Sequence, residues 1–156
     1  MRMSANGLKK LMEWEGVVLH RYKDAAGLWT IGCGHLIQPG EDYSKGLTTE
    51  QALDLLADDL TRFEAAVNSK VTVELSQNQY DALVSFAFNV GVGAFQKSTL
   101  LKKLNAGDYA AVGSLDEEDE YHGELMKWTK AGGKTCDGLI SRREKEIDLW
   151  NATATA

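Results

Sequence analysis

The sequence predicts an α+β chain with a small antiparallel sheet near its N-terminus and helices from there to the end. Three observations carry this. Residues 4–14 place Leu8, Leu11, Met12 and Trp14 at helical spacing. Residues 17–46 switch to strand-formers broken by "DAAG", "GCG" and "QPGED". From Thr48 onward the apolar residues again recur at three and four.

The elements follow in order. The first helix should stop at Gly16, which sits just past the last periodic residue. Val17, Val18, Leu19, Tyr22, Trp29, Thr30 and Ile31 supply a hairpin or three-stranded sheet, and the only proline, Pro39, falls in a turn. Thr48 followed by Gln51 is a capping-box pattern, so a helix starts there and runs through Leu53, Leu56, Leu60, Phe63 and Val67. Ser76 opens the next helix, with Tyr80, Leu83, Val84 and Ala87 as its apolar face and "NVGVG" as its end. "STLLKKLNAGDYAAV" reads as two short helices split at "NAG", and "DGLISRREKEIDLW" as the last helix. The domain reading is a single domain over 1–156. Within it, 1–15 is an N-terminal helix, 16–47 a β-lobe, 48–150 a helical lobe and 151–156 a frayed tail.

Composition bounds the function. With 156 residues, 44% hydrophobic and 26% charged, the chain is an ordinary globular protein. No apolar run reaches the about 18 residues a membrane span needs, and the N-terminus lacks the apolar core of a secretory signal. A net charge of −6 argues against nucleic acid, whose binders carry a basic footprint. The same charge is awkward for an enzyme of an anionic polymer. Cys33 and Cys136 stand far apart and outside any CxxC pattern, so both read as free thiols. His20, His35 and His122 show no ligand spacing with them, so no metal and no other cofactor is expected. "SLDEEDEYHGE" carries five successive acids, Asp116 to Glu120, and reads as a solvated acidic loop without EF-hand spacing.

Three residues invite chemistry. Glu15, between Trp14 and "GVVL", has apolar neighbours. Partial burial there would favour the protonated form that a general acid needs. It also reads as a plain helix-end glutamate. Asp24 in "YKDAAG" is either a second carboxylate or a turn aspartate bonding its own backbone. Thr30 in "WTIG" is a strand residue whose hydroxyl can hold a water. Together, a carboxyl pair and a water-holding hydroxyl are the equipment of glycoside hydrolysis.

Glu15, Asp24 and Thr30, followed by "IGCGH", resemble the Glu–Asp–Thr signature of the tailed-phage lysozymes of glycoside hydrolase family 24. "LTTEQALDLLADDL", "QYDALVSFAFNVGVGAFQKSTLLKKLNAGD", "KWTKAGGK" and "GLISRREKEIDLW" extend the resemblance to the lambdoid endolysin branch over nearly the whole chain. The resemblance implies a lysozyme-like fold with the active-site cleft between the two lobes. It implies a muramidase that cuts the β-1,4 bond between N-acetylmuramic acid and N-acetylglucosamine with inversion and lyses the host. Glu15 matches the general acid, Asp24 the second carboxylate and Thr30 the water-positioning residue. Leu36, Phe88 and Ser98 match cleft-lining positions, and Arg142 a family arginine that pairs with the catalytic glutamate, a place its neighbour Arg143 could also take. His35 resembles a structural histidine.

The implied partner is peptidoglycan, acted on by a monomer without membrane insertion. The implied route is host cytoplasm until a holin opens the membrane, then periplasm and wall. Some relatives begin with an apolar anchor helix and use cysteines as a switch. This sequence shows no anchor segment, and Cys33 lies beside the catalytic strand. Two other readings stay open, a lytic transglycosylase and a catalytically dead wall-binding module. The acidic segment 115–123 looks like an insertion that weakens binding to anionic wall polymer.

Overall fold

The structure, a computed structural model, describes residues 1–152. They form two compact units: Ala5–Thr61, and Met1–Ser4 together with the chain from Arg62 onward.

In the first unit, α1 (Ala5–Glu15) ends where expected: Gly16 takes a φ of 76° and its N–H reaches the Met12 carbonyl at 3.0 Å. Strands β1 (Val18–Lys23), β2 (Trp29–Gly32) and β3 (His35–Leu36) then form an antiparallel sheet in the order β1-β2-β3. Its register pairs Lys23 with Trp29, Tyr22 with Thr30, and Thr30 with Leu36. The register shifts between Val18 and Tyr22, a bulge in β1. The chain docks there: Leu47 N–H bonds the Leu19 carbonyl at 2.7 Å. Gly46 makes the approach possible, since a Cβ would stand 2.7 Å from His20 Nδ1 and 2.8 Å from the Leu19 carbonyl. Helix α2 (Thr49–Asp59) opens with the expected reciprocal Thr48–Gln51 capping box. It packs on α1, β2 and β3.

The expected long helix from Thr48 to Val67 is two helices. The chain turns at Leu60, whose N–H is shared between the Leu56 and Asp58 carbonyls, and α3 (Thr61–Lys70) follows. In the second unit α4 (Gln77–Val90) is the centre. It starts at the Ser76–Gln79 capping box and ends at Gly91, φ 97°. Tyr80 to Ala87 are buried without a break, so α4 is covered all round rather than along one face. Its buried Asp81 takes the Ser4 N–H at 3.1 Å, the Ser4 hydroxyl and Gln77 Nε2 at 2.8 Å. The buried Glu64 takes the Met3 N–H at 2.7 Å. These bonds bring Met1–Ser4 into the second unit.

Two short helices, α5 (Val92–Lys97) and α6 (Thr99–Asn105), lead to a 3-10 turn at Tyr109–Ala111, so the split at "NAG" is found, while α5 was not foreseen. The acidic run is an exposed loop, as read, but it closes a β-hairpin that was not foreseen: β4 (Ser114–Leu115) pairs with β5 (Tyr121–His122). His122 Nε2 meets Asp116 Oδ2 at 2.7 Å, and the Tyr121 hydroxyl bonds Asp148 at 2.9 Å. Asp116, Glu120 and His122 hold one ligand-type atom each within 4.8 Å of one another, all exposed. A second hairpin pairs β6 (Lys130–Ala131) with β7 (Lys134–Thr135). Strands therefore also occur beyond the N-terminal sheet. The last helix, α7 (Asp137–Asn151), packs along α4. Asn151, expected to open the tail, closes this helix, and residues 153–156 of that tail lie outside the described residues. Among the described residues no helix is long and apolar enough to cross a membrane.

Candidate active site

Glu15, Asp24 and Thr30 all belong to the unit Ala5–Thr61. Asp24 and Thr30 are joined by one residue. The N–H of Leu28 bonds Asp24 Oδ1 at 2.9 Å, and the carbonyl of Leu28 takes the Thr30 hydroxyl proton at 3.0 Å. Ala26 N–H also bonds Asp24 Oδ1 at 2.9 Å. Asp24 is thus the turn aspartate that its local sequence allows. The turn uses only one of its two oxygens, and Oδ2 receives no hydrogen bond among the described residues. Thr30 is 2% exposed, and with its proton committed to Leu28 its remaining lone pairs can accept from a water.

Glu15 is exposed, as the plain helix-end reading has it, and not partly buried. It is the last residue of α1. Its carboxylate acts on Cys33 in the turn between β2 and β3. Burial, then Glu15, then Asp59 push the Cys33 thiol up to about 11. Cys33 is buried and unpaired by disulfide, as is the half-buried Cys136. A thiol held this far from ionisation is a poor nucleophile. Alkylation with iodoacetamide at about pH 8 should therefore label Cys136 readily and Cys33 only when the protein unfolds. Mass mapping of the labelled peptides reads the order directly.

His35 is clasped from both sides. Its Nδ1 meets Asp59 at 2.8 Å and its Nε2 meets Glu41 at 2.9 Å. Burial disfavours the charged ring, but the bonds to Glu41 and Asp59 outweigh it and raise His35 above its ordinary value of 6.5. Glu41 is held below its ordinary 4.5, first by the Gln38 N–H and then by His35. The raised His35 stabilises the fold fully below 6.5 and loses this as pH rises through its folded value. The depressed Glu41 stabilises above 4.5 and loses this as pH falls through its folded value. The clasp is thus strongest between those limits. The gap in thermal midpoint between the protein and His35→Gln, scanned from about pH 4 to pH 9, should peak in that window and narrow on both sides.

The remaining residues fall differently. Leu36 is 43% exposed and lies opposite Thr30, so Tyr22, Thr30 and Leu36 share one face of the sheet. Phe88 and Ser98 belong to the other unit. Phe88 is half-buried edge-on against Phe63, with ring centres 5.2 Å apart. Ser98 is the N-cap of α6: its hydroxyl accepts from Leu101 N–H at 3.2 Å and donates to the Phe95 carbonyl at 2.7 Å. Arg142 is buried, its Nε 3.2 Å from both Ser85 Oγ and Glu146 Oε2. Arg143 is fully buried, with Nε 2.7 Å from Glu146 Oε1 and Nη2 donating to Asn89 at 2.8 Å. Glu146, 0% exposed, is the hub that also accepts the Ser85 hydroxyl at 2.6 Å. Burial raises its carboxyl, against the pull of Arg143 and Arg142.

Sequence reasoning missed Glu146, Ser85 and Asn89, and it missed Glu41 and Asp59 around His35. A signal existed for the hub. Arg143, Glu146, Ile147 and Trp150 follow the same helical stripe as the core.

Known proteins align with this chain over nearly its whole length. The phage lysozyme family pattern matches residues 12–146. An endolysin of Acyrthosiphon pisum secondary endosymbiont phage 1 is 40% identical over 156 residues, covering 97% of this chain and 99% of that one. A solved structure of a P22 lysozyme mutant superposes with a TM-score of 0.82 at 38% identity, over 97% of this chain and 99% of that one. The muramidase domain of SpmX from Asticaccaulis excentricus gives 0.80 at 32% identity, with 97% and 99% covered. With residues 12–146 inside the family pattern and Glu15, Asp24 and Thr30 gathered in one unit, the chain belongs to the phage lysozyme family.

Proposed function

We propose that the chain is a phage endolysin in which Glu15, Asp24 and Thr30 divide the hydrolysis of a glycosidic bond among them. The family makes it a glycoside hydrolase of the muramidase kind, acting on peptidoglycan. In the proposal the bond cut is the β-1,4 link from N-acetylmuramic acid to N-acetylglucosamine. Glu15 gives its proton to the leaving oxygen. Asp24 Oδ2 draws a proton from a water whose other hydrogen is held by Thr30, and that water attacks the anomeric carbon from the opposite face. The product then carries inverted configuration. Leu36, Phe88 and Ser98 are substrate-lining positions in this reading, with Leu36 offering an apolar side chain to a sugar ring. Arg142 and His35 support the site. The enzyme acts as a monomer, without cofactor, and reaches the wall from the host cytoplasm after holin-dependent release.

The observation that supports this best is the Leu28 link. It holds one carboxylate oxygen and one hydroxyl in fixed relation, and leaves the second carboxylate oxygen for water. The test is the chemistry of the released fragments. Purified Gram-negative sacculi are digested and the soluble products are analysed by mass spectrometry. Reducing N-acetylmuramic ends are expected. Anhydro ends would mean that no water is used, and the roles given to Asp24 and Thr30 would fall.

A further inference from the structure

The net charge of −6 leaves a problem for an enzyme of an anionic wall, and the β1–β2 hairpin holds an answer. Trp29 is 45% exposed and its neighbour Leu28 52%. Arg21 Cζ lies 4.9 Å from the centre of the Trp29 ring, and Lys23 Nζ lies 5.2 Å from it. The register explains the grouping. Lys23 is directly opposite Trp29, and Arg21 is two residues earlier on the same strand. Alternation places Trp29 on the face opposite to Thr30, so this cluster is separate from the Tyr22–Thr30–Leu36 face. Among the described residues neither Arg21 nor Lys23 forms an ion pair with an acid within 4.0 Å. The indole holds both cations close to its ring, and Arg21 also helps to hold the exposed Asp42 below its ordinary value, after the bonds from Ser44.

We propose that Trp29, Arg21 and Lys23 form an exosite for the stem peptides of peptidoglycan. The inference rests on the muramidase reading for its substrate. Stem peptides carry free carboxylates, and the two cations are matched to them in charge. A guanidinium takes a carboxylate in bidentate fashion, and an ammonium adds a point charge. The exposed Trp29 ring provides the apolar ground beneath. The patch offsets the repulsion of an acidic protein by an acidic polymer, at a place that does no chemistry.

The experiment is co-sedimentation in a Glu15→Gln background, so that binding is read without turnover. Three pellets are compared: intact sacculi, glycan strands stripped of peptide by an amidase, and phosphatidylglycerol vesicles. Arg21→Gln/Lys23→Gln should weaken binding to intact sacculi about tenfold, the scale of two partly exposed ion pairs. It should also flatten the salt dependence and leave binding to stripped glycan unchanged. Trp29→Ala should weaken sacculus binding without flattening the salt dependence. Circular dichroism verifies that the variants fold. Equal loss on stripped glycan, or unchanged binding to sacculi, would overturn the proposal. So would vesicle binding that depends on Arg21 and Lys23, which would make the patch a lipid contact. Failure of the muramidase reading shows elsewhere, as absence of glycan cleavage by the unmutated protein.

Discussion

Glu15→Gln should lower the rate of wall clearing by about 100- to 10,000-fold, the range lost with a positioned general acid. Glutamine keeps the shape and the acceptor oxygen but has no proton to give. Because Glu15 is an exposed helix-end residue, the change should move unfolding free energy by less than about 1 kcal/mol. Turbidity clearing and thermal unfolding on one sample separate the two effects. A variant that keeps more than about a tenth of its activity would remove Glu15 from the proton-donating role. A large loss of stability would mean that the carboxylate supports the fold, and the activity loss could then not be assigned to chemistry.

The second large effect is on stability. Glu146→Gln should cost about 3–5 kcal/mol, as for other broken buried ion pairs. The reason is what it leaves behind. Arg143 is fully buried with its Nε 2.7 Å from Glu146, and Arg142 is buried with its Nε 3.2 Å from the same carboxylate. Neutralising Glu146 removes the one charge that both buried guanidiniums share, while their bonds to Ser85 and Asn89 stay. For a chain of this size the loss corresponds to about 6–20 °C in thermal midpoint. Urea unfolding of both proteins gives the free energy directly. A loss below about 1 kcal/mol would mean that water or rearrangement satisfies the arginines. Replacing Arg143 and Glu146 together by Met and Leu should cost less than the sum of the single changes, because the two charges of the closest pair leave together.

How far these features could be read beforehand depends on the range of the interaction that makes them. The Thr48–Gln51 capping box and the helix start at Ser76 were legible because each is set within a few residues of chain, while the Ser76–Gln79 box itself went unread. The stop at Gly16 was legible for the same reason. The break at Leu60 was not, since Leu53, Leu56, Leu60, Phe63 and Val67 keep helical period straight through it. The hairpin in the acidic segment was hidden because its strands are two residues long, too short to alternate. Glu15, Asp24 and Thr30 were picked out by spacing and by resemblance, but the exposure of Glu15 is set by what packs on it. The buried Arg143–Glu146 pair ran against the rule that charges face water.

The Leu28 link has a consequence for how the hairpin tolerates change. Asp24 and Thr30 are coupled through the two ends of one residue, so what is held constant between them is chain length rather than side-chain identity. Ala25, Ala26 and Leu28 are exposed, and Ala26 and Leu28 contribute backbone groups to the turn. A library that randomises those three positions explores side chains at the mouth of the turn while the carboxylate–hydroxyl spacing is copied unchanged from parent to offspring. Adding or removing a single residue there breaks the spacing at once. The segment therefore behaves as a ruler with interchangeable markings, permissive to substitution and closed to insertion.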